Sequence, residues 1–234
     1  MQGMRALAAL AAIVVMAGGP VQAAQLLTDG TGYAGPVINM GAYPDPGYIL
    51  TNAPQVFGSI TVSGDNMFDT TVYGKTFYGF GNNGGTENAS IIATGISNSS
   101  LFIDFATPVS LFGAGMNYAP GLDPFNFPFP VLAPTVSAFD SNGDLIASYN
   151  LATLAPINTG GATDTFAFRG IDGQGRSISR FVLTGSYIGI LISDGFLMDP
   201  TPPPAVPEPA SWAMLVLGFA GIGSIARKRR LHAA

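Results

Sequence analysis

Apolar and polar residues alternate along most of the chain, in short runs divided by turn residues. In residues 100–105, Leu101, Ile103 and Phe105 fall on one side of an extended segment and Phe102 and Asp104 on the other. That is the period of a half-buried strand. Residues 55–62 alternate too, with Val56, Gly58, Ile60 and Val62 on one face. A further strand is expected over 109–116, following Pro108. Residues 135–140 and 145–151 flank Ser141-Asn142-Gly143-Asp144, and Asn-Gly between alternating runs is a strong hairpin signal. Residues 165–168, 180–184 and 188–193 complete the series. Turn residues recur about every 8–12 positions, the spacing of an all-β sandwich. No segment between the two ends carries a helical stripe over 11 or more positions. The pattern predicts an all-β chain folded as a single β-sandwich, jelly-roll or immunoglobulin-like.

Three stretches read as loops. Gly81-Asn82-Asn83-Gly84-Gly85 is expected to be a flexible turn. Residues 119–134 hold Pro120, Pro124, Pro128, Pro130 and Pro134 among Phe125, Phe127 and Phe129. Proline cannot donate to a ladder, so this run is not a central strand. Gly170-Ile171-Asp172-Gly173-Gln174-Gly175 lacks the Lys-Ser/Thr pair of a phosphate loop and reads as a turn before 177–184.

The two ends depart from this pattern. Residues 1–23 have the layout of a secretory signal peptide: Arg5, then an apolar run over 6–17, then Gly18-Gly19-Pro20 and Val21-Gln22-Ala23. Twelve apolar residues are too few to span about 30 Å of hydrocarbon, so cleavage after Ala23 is expected rather than anchoring. At the other end, residues 200–206 form a proline-rich spacer ahead of Pro207-Glu208-Pro209. Residues 212–226, from Trp212 to Ala226, are uncharged and apolar, and Arg227-Lys228-Arg229-Arg230 follows. A helix over this run just crosses a thin bilayer, with Trp212 at one interface and the four cations on the cytoplasmic side. The expected organisation is therefore a signal peptide at 1–23, a β-sandwich domain at 24–199, the spacer at 200–206 and a membrane-crossing segment with a basic end at 207–230.

Composition narrows the chemistry. The whole chain carries a formal charge of −5, but residues 24–199 hold four cations against thirteen anions, a net of −9. That balance argues against a nucleic-acid binder. There is no Cys, and the single His, His232, lies in the basic tail. Disulfide frameworks, zinc ribbons, cysteine nucleophiles and histidine-based triads in the body are excluded. At 47% hydrophobic residues, the chain is not a disordered one.

The string Val206-Pro207-Glu208-Pro209-Ala210-Ser211-Trp212-Ala213-Met214-Leu215, its Gly-rich apolar continuation and the terminal arginines resemble the PEP-CTERM sorting signal in its PEPxxWA form. The resemblance covers about 206–230. It implies an exported protein of a Gram-negative bacterium, held transiently in the inner membrane by its tail and processed by an exosortase, with signal peptidase acting at Ala23. Association with exopolysaccharide and biofilm matrix at the cell surface is part of what it implies. Pro207, Glu208, Pro209, Trp212, Ala213, Arg227, Lys228, Arg229 and Arg230 would be recognition residues, those of a substrate and not of a catalyst. The body from Leu101 to Met198 also resembles, on β pattern alone, the sandwich domains that often precede such tails. Relatives often have two adjacent acids before the last strand, where this chain reads Ser193-Asp194-Gly195.

Candidate chemistry in the body is sparse. Asp140-Ser141-Asn142-Gly143-Asp144 starts like a calcium loop, but the sixth and twelfth positions hold Leu145 and Leu151, so it is no EF-hand. A sandwich-type calcium site would draw on Asp140, Asp144 or Asp194; the plainer reading is Asp capping turns. A glycosidase needs a specific carboxylate pair, and nothing selects one; Glu87 has no evident partner. No Gly-x-Ser-x-Gly elbow is present. Tyr73, Phe77, Tyr78 and Phe80, or Tyr118 with Phe125, Phe127 and Phe129, would suit a sugar-stacking platform if exposed. The expectation is a non-catalytic surface or matrix protein without a cofactor, the alternative being a glycan-binding module stabilised by calcium.

Overall fold

The computed structural model describes residues 22–31, 37–38, 48–51, 53–65, 71–94, 99–120, 132–192 and 196–200. The expectations for the leader before residue 22, for Phe125, Phe127, Phe129 and Asp194, and for the whole tail with Pro207, Glu208, Pro209, Trp212, Ala213, Arg227, Lys228, Arg229 and Arg230 fall outside the described residues.

The described chain is all-β. Short strands come first: β1 (Gln25–Leu27), β2 (Val37–Ile38), β3 (Tyr48–Thr51), β4 (Gln55–Phe57), β5 (Ile60–Asp65) and β6 (Thr71–Lys75). Then follow β7 (Tyr78–Gly79), β8 (Gly85–Thr86), β9 (Ser90–Thr94) and the 19-residue β10 (Ser99–Asn117). The chain continues through β11 (Thr135–Phe139), β12 (Leu145–Asn150), β13 (Ala167–Asp172), β14 (Ile178–Gly185), β15 (Ile188–Leu191) and β16 (Phe196–Pro200). One helical turn, α1 (Leu151–Leu154), is capped by Asn150 Oδ1, which accepts from Thr153 N at 3.3 Å. Among the described residues no helix is long and apolar enough to cross a membrane.

β10 organises the sheet. Its first half, 99–105, pairs with β14 on one side and β5 on the other. Its second half, 109–117, pairs with β13 on one side and with β16 and then β15 on the other. The register slips between Asp104 and Val109. Nineteen extended residues would reach about 60 Å. Yet Ser99 faces Gly185 and Asn117 faces Gly189. Gly185 and Gly189 are four residues apart, at most about 14 Å. The strand must therefore turn back on itself, and the irregularity at 105–109 is where it does so.

The turn lets both halves share one core. Ile60, Val62, Leu101 and Ile103 from the first half join Phe112, Ala114, Met116, Ile171 and Ile190 from the second in a single buried cluster. Tyr73 Oη of β6 donates to the Val62 carbonyl of β5 at 3.2 Å, tying strands that belong to different halves. Where backbones crowd, glycine is required. A Cβ on Gly170 would run into the Phe112 carbonyl oxygen of the neighbouring strand.

Several expected strands are corrected. Residues 55–62 do not form one strand but the hairpin β4–β5, with Gly58 at φ 60° in the turn and Phe57 opposite Ile60. Val56 is consequently 71% exposed while Ile60 and Val62 are fully buried. The strands expected at 100–105 and 109–116 are the two halves of one strand, Ser99–Asn117, with the register broken between Asp104 and Val109. The strand expected at 165–168 lies at 167–172, so the supposed turn at Gly170 is strand and the turn begins at Gly173. The Asn142-Gly143 hairpin is as expected, with Gly143 at φ 83°.

Candidate functional site

Residues 81–85, expected to be a flexible turn, are instead a buried knot. Asn83 is buried; its Nδ2 donates to the Tyr118 carbonyl at 3.0 Å and to the Ile157 carbonyl at 2.8 Å. Its own carbonyl accepts from Asn117 Nδ2 at 3.2 Å and Thr159 Oγ1 at 2.6 Å. The glycines around it allow this close approach: a Cβ on Gly84 would strike the Ala162 carbonyl, and Gly84 has φ +75°. Beside the knot, Arg169 donates to the carbonyls of Ala155, Phe168 and Pro156 at 2.9, 2.6 and 3.0 Å. Its burial lowers the guanidinium's pKa from the ordinary value. Asp164, at φ 53°, accepts from the backbone N–H groups of Glu87, Asn88 and Ala89. Burial opposes its ionisation, but these bonds outweigh burial and hold the carboxyl below its usual range. Glu87 thus meets an acid through its main chain only.

The aromatic groups are divided by the fold. Tyr73, Phe80 and Tyr118 are in the core, whereas Phe77 is 75% exposed. Phe80 packs edge-on against Phe166 at 5.8 Å. Burial and the neighbouring Tyr187 push the Tyr78 phenol up, and its Oη donates to the Thr94 carbonyl at 3.0 Å. Tyr73 faces inward from β6 and Phe80 is buried in the segment after β7, so these two rings are core and form no stacking platform.

Asp140 and Asp144 lie together in the β11–β12 hairpin. Asp140 Oδ1 accepts from the N–H groups of Asn142 and Asp144, both at 2.9 Å, so it serves as a turn cap. No group of three or more metal-binding side chains occurs among the described residues. The turn borders a groove of about 500 Å³ lined by Phe102, Asp104, Phe139, Ser179, Arg180 and Val182 with 140–143. Arg180 Nε and Nη2 donate to Asp104 Oδ1 and Oδ2 at 2.6 and 3.1 Å, an exposed fork that raises the guanidinium's pKa. The guanidinium carbon also stands 5.5 Å from the Phe102 ring centroid, covering that face. Sequence reasoning missed this cluster: alternation turned Asp104 and Phe102 outward, but only the register Asp104↔Arg180 joins them.

The start of the body is docked. The Tyr149 phenol donates to the Ala24 carbonyl, and Gln25–Leu27 pairs with β13. Ala23, the expected cleavage point, is exposed directly before this strand.

These features define an all-β body in which Asp140 and Asp164 cap backbone and Asp104 pairs with Arg180. The tail supplies the identification: residues 205–230 match the family model of the PEP-CTERM protein-sorting motif. The chain is thus a PEP-CTERM-motif protein, and the motif implies export and processing by an exosortase. No curated protein matches the chain.

Proposed function

We propose that the chain is a non-catalytic surface or extracellular matrix protein, a single β-sandwich delivered by the leader at 1–23 and sorted through the tail at 207–230. The motif at 205–230 is the observation that carries this reading. Signal peptidase cuts after Ala23. The apolar run at 212–226 then holds the chain in the inner membrane with Arg227–Arg230 on the cytoplasmic side, and exosortase acts on the region of Pro207-Glu208-Pro209. The body passes to the cell surface or matrix, where exopolysaccharide is its partner. The sandwich reading is supported by the turn of β10 and by the core shared between its halves. The non-catalytic reading is supported by how the described acids are used: Asp140 and Asp164 cap backbone, and Asp104 is paired with Arg180.

One observation favours a second reading, glycan binding: the groove at Phe139, Arg180 and Asp104 combines an aromatic ring with a fixed polar fork. Deleting the chain and measuring both retained matrix and binding of the body to the extracted polysaccharide separates the two. Matrix loss without measurable sugar affinity supports the structural role. Affinity that falls with Phe139→Ala supports binding. Turnover of the polysaccharide overturns both.

A further inference from the structure

The dipeptide Asn-Gly occurs twice in the chain, at Asn83-Gly84 and at Asn142-Gly143, and the fold treats the two oppositely. Asn83 is 2% exposed, and its side-chain amide donates to the carbonyls of Tyr118 and Ile157. Gly84 is walled in: a Cβ built there would stand 2.0 Å from the Ala162 carbonyl oxygen. Asn142 is exposed in the β11–β12 turn, and a Cβ on Gly143 would meet nothing within 4 Å. The main-chain N–H of Asn142 donates to Asp140 Oδ1, but among the described residues nothing bonds to its side-chain amide. The Gly143 N–H donates to the Asp140 carbonyl at 3.1 Å, an exposed turn bond of the kind that opens locally at little cost.

We propose that Asn142 is a modification site at which the folded protein deamidates itself to aspartyl and isoaspartyl forms, while the same fold keeps Asn83 intact. Water and hydroxide are the co-reactants. Hydroxide takes the Gly143 N–H proton, and the nitrogen attacks Asn142 Cγ. The new N–Cγ bond closes a succinimide ring, the Cγ–Nδ2 bond breaks, and Nδ2 leaves as ammonia with a proton from water. Water then opens the ring. Cleavage of the N–Cγ bond restores the ordinary main chain and leaves an aspartyl side chain. Cleavage at the main-chain carbonyl carbon instead routes the chain through Cβ and Cγ, the isoaspartyl link. Glycine is the residue that permits the attack, because it has no side chain to crowd the nitrogen. Asn82, Asn88, Asn150 and Asn158 are followed by Asn83, Ala89, Leu151 and Thr159, which do crowd it. The product places a new negative charge between Asp140 and Asp144, at the lip of the groove that Arg180 and Phe139 line. The bonds from Asp140 N to Asp144 O and from Gly143 N to Asp140 O both span the altered link. The turn therefore loosens in the isoaspartyl form, while the β11–β12 ladder from Thr135 to Ala138 lies outside the change. Reaction at Asn83 waits for an opening that breaks both of its buried hydrogen bonds, so it should lag by at least about tenfold.

The test uses the full-length wild-type chain in detergent solution, so no variant has to fold. The chain is held in mildly alkaline buffer, native in one series and unfolded in guanidinium chloride in another. Samples are quenched in acid and digested with pepsin, and the peptides that hold each Asn-Gly pair are followed by mass spectrometry. Deamidation shows as the mass gained when NH2 becomes OH, and labelling by protein isoaspartate methyltransferase marks the isoaspartyl form. Position 142 should convert at least about tenfold faster than position 83 in the native chain, with isoaspartyl label on its peptide, and the two rates should converge in guanidinium. Comparable native rates overturn the proposal. An Asn142 that persists in the native chain while the unfolded chain converts overturns it too, because the turn then protects the amide. A rate ratio that survives in guanidinium also overturns it, because the fold is then not the cause.

Discussion

Replacing Asn83 by Ala tests the knot at 81–85 most sharply. The side chain donates to two carbonyls, those of Tyr118 and Ile157, from segments 35 and 74 residues away in sequence. Each bond contributes about 1 kcal/mol net, and each carbonyl left without its donor in a buried site adds about 1–3 kcal/mol in cost. Because the truncated side chain leaves room for partial relaxation, a total loss of about 2–4 kcal/mol is expected. For a domain of this size that lowers Tm by about 5–15 °C. The control is Asn142→Ala, in the exposed hairpin, where only the main-chain N–H is bonded. It should change stability by less than about 0.5 kcal/mol. Urea unfolding followed by circular dichroism gives both values on the same footing. The reasoning fails if the two variants lie within about 0.5 kcal/mol of each other, because 81–85 would then behave as the open turn that its composition suggests.

Other expectations follow from the same geometry. Gly170→Ala drives a Cβ into the Phe112 carbonyl oxygen and should cost more than about 3 kcal/mol, read as a loss of soluble folded chain or a large fall in urea midpoint. Asp104→Asn breaks only an exposed ion pair; a loss below about 1 kcal/mol is expected, shrinking further in 1 M salt, and a larger loss would show the groove to be structurally essential. Asp164 has a depressed pKa in the folded state, so its stabilisation is present above its unfolded value and lost as pH falls through the folded one. The stability gap between wild type and Asp164→Asn should therefore be full near neutrality and close below about pH 4; a gap independent of pH contradicts the assignment.

What could be read from the sequence is what neighbouring residues decide among themselves. The alternation of Leu101, Ile103 and Phe105 is a property of six residues, and all three are buried. The Asn142-Gly143 turn needs only a residue that tolerates positive φ. The sorting motif is a contiguous string, so it was legible in full. Other features depend on distant register. Gly-Asn-Asn-Gly-Gly looks like a turn until carbonyls from 118 and 157 arrive to bury Asn83. Phe102, Asp104, Phe139 and Arg180 come from three strands, and no spacing along the chain joins them. Tyr73 and Phe80 had the chemistry of a sugar platform; only the packing of β6 and the segment after β7 shows that their rings face inward.

Intact mass spectrometry is the direct test of sorting through the tail. The protein recovered from cell envelope and culture medium is compared with its Glu208→Ala variant. The wild-type chain should have lost residues 1–23 and the tail beyond Pro207-Glu208-Pro209, while the variant should have lost the leader but kept the tail. A complete tail in both forms would contradict it.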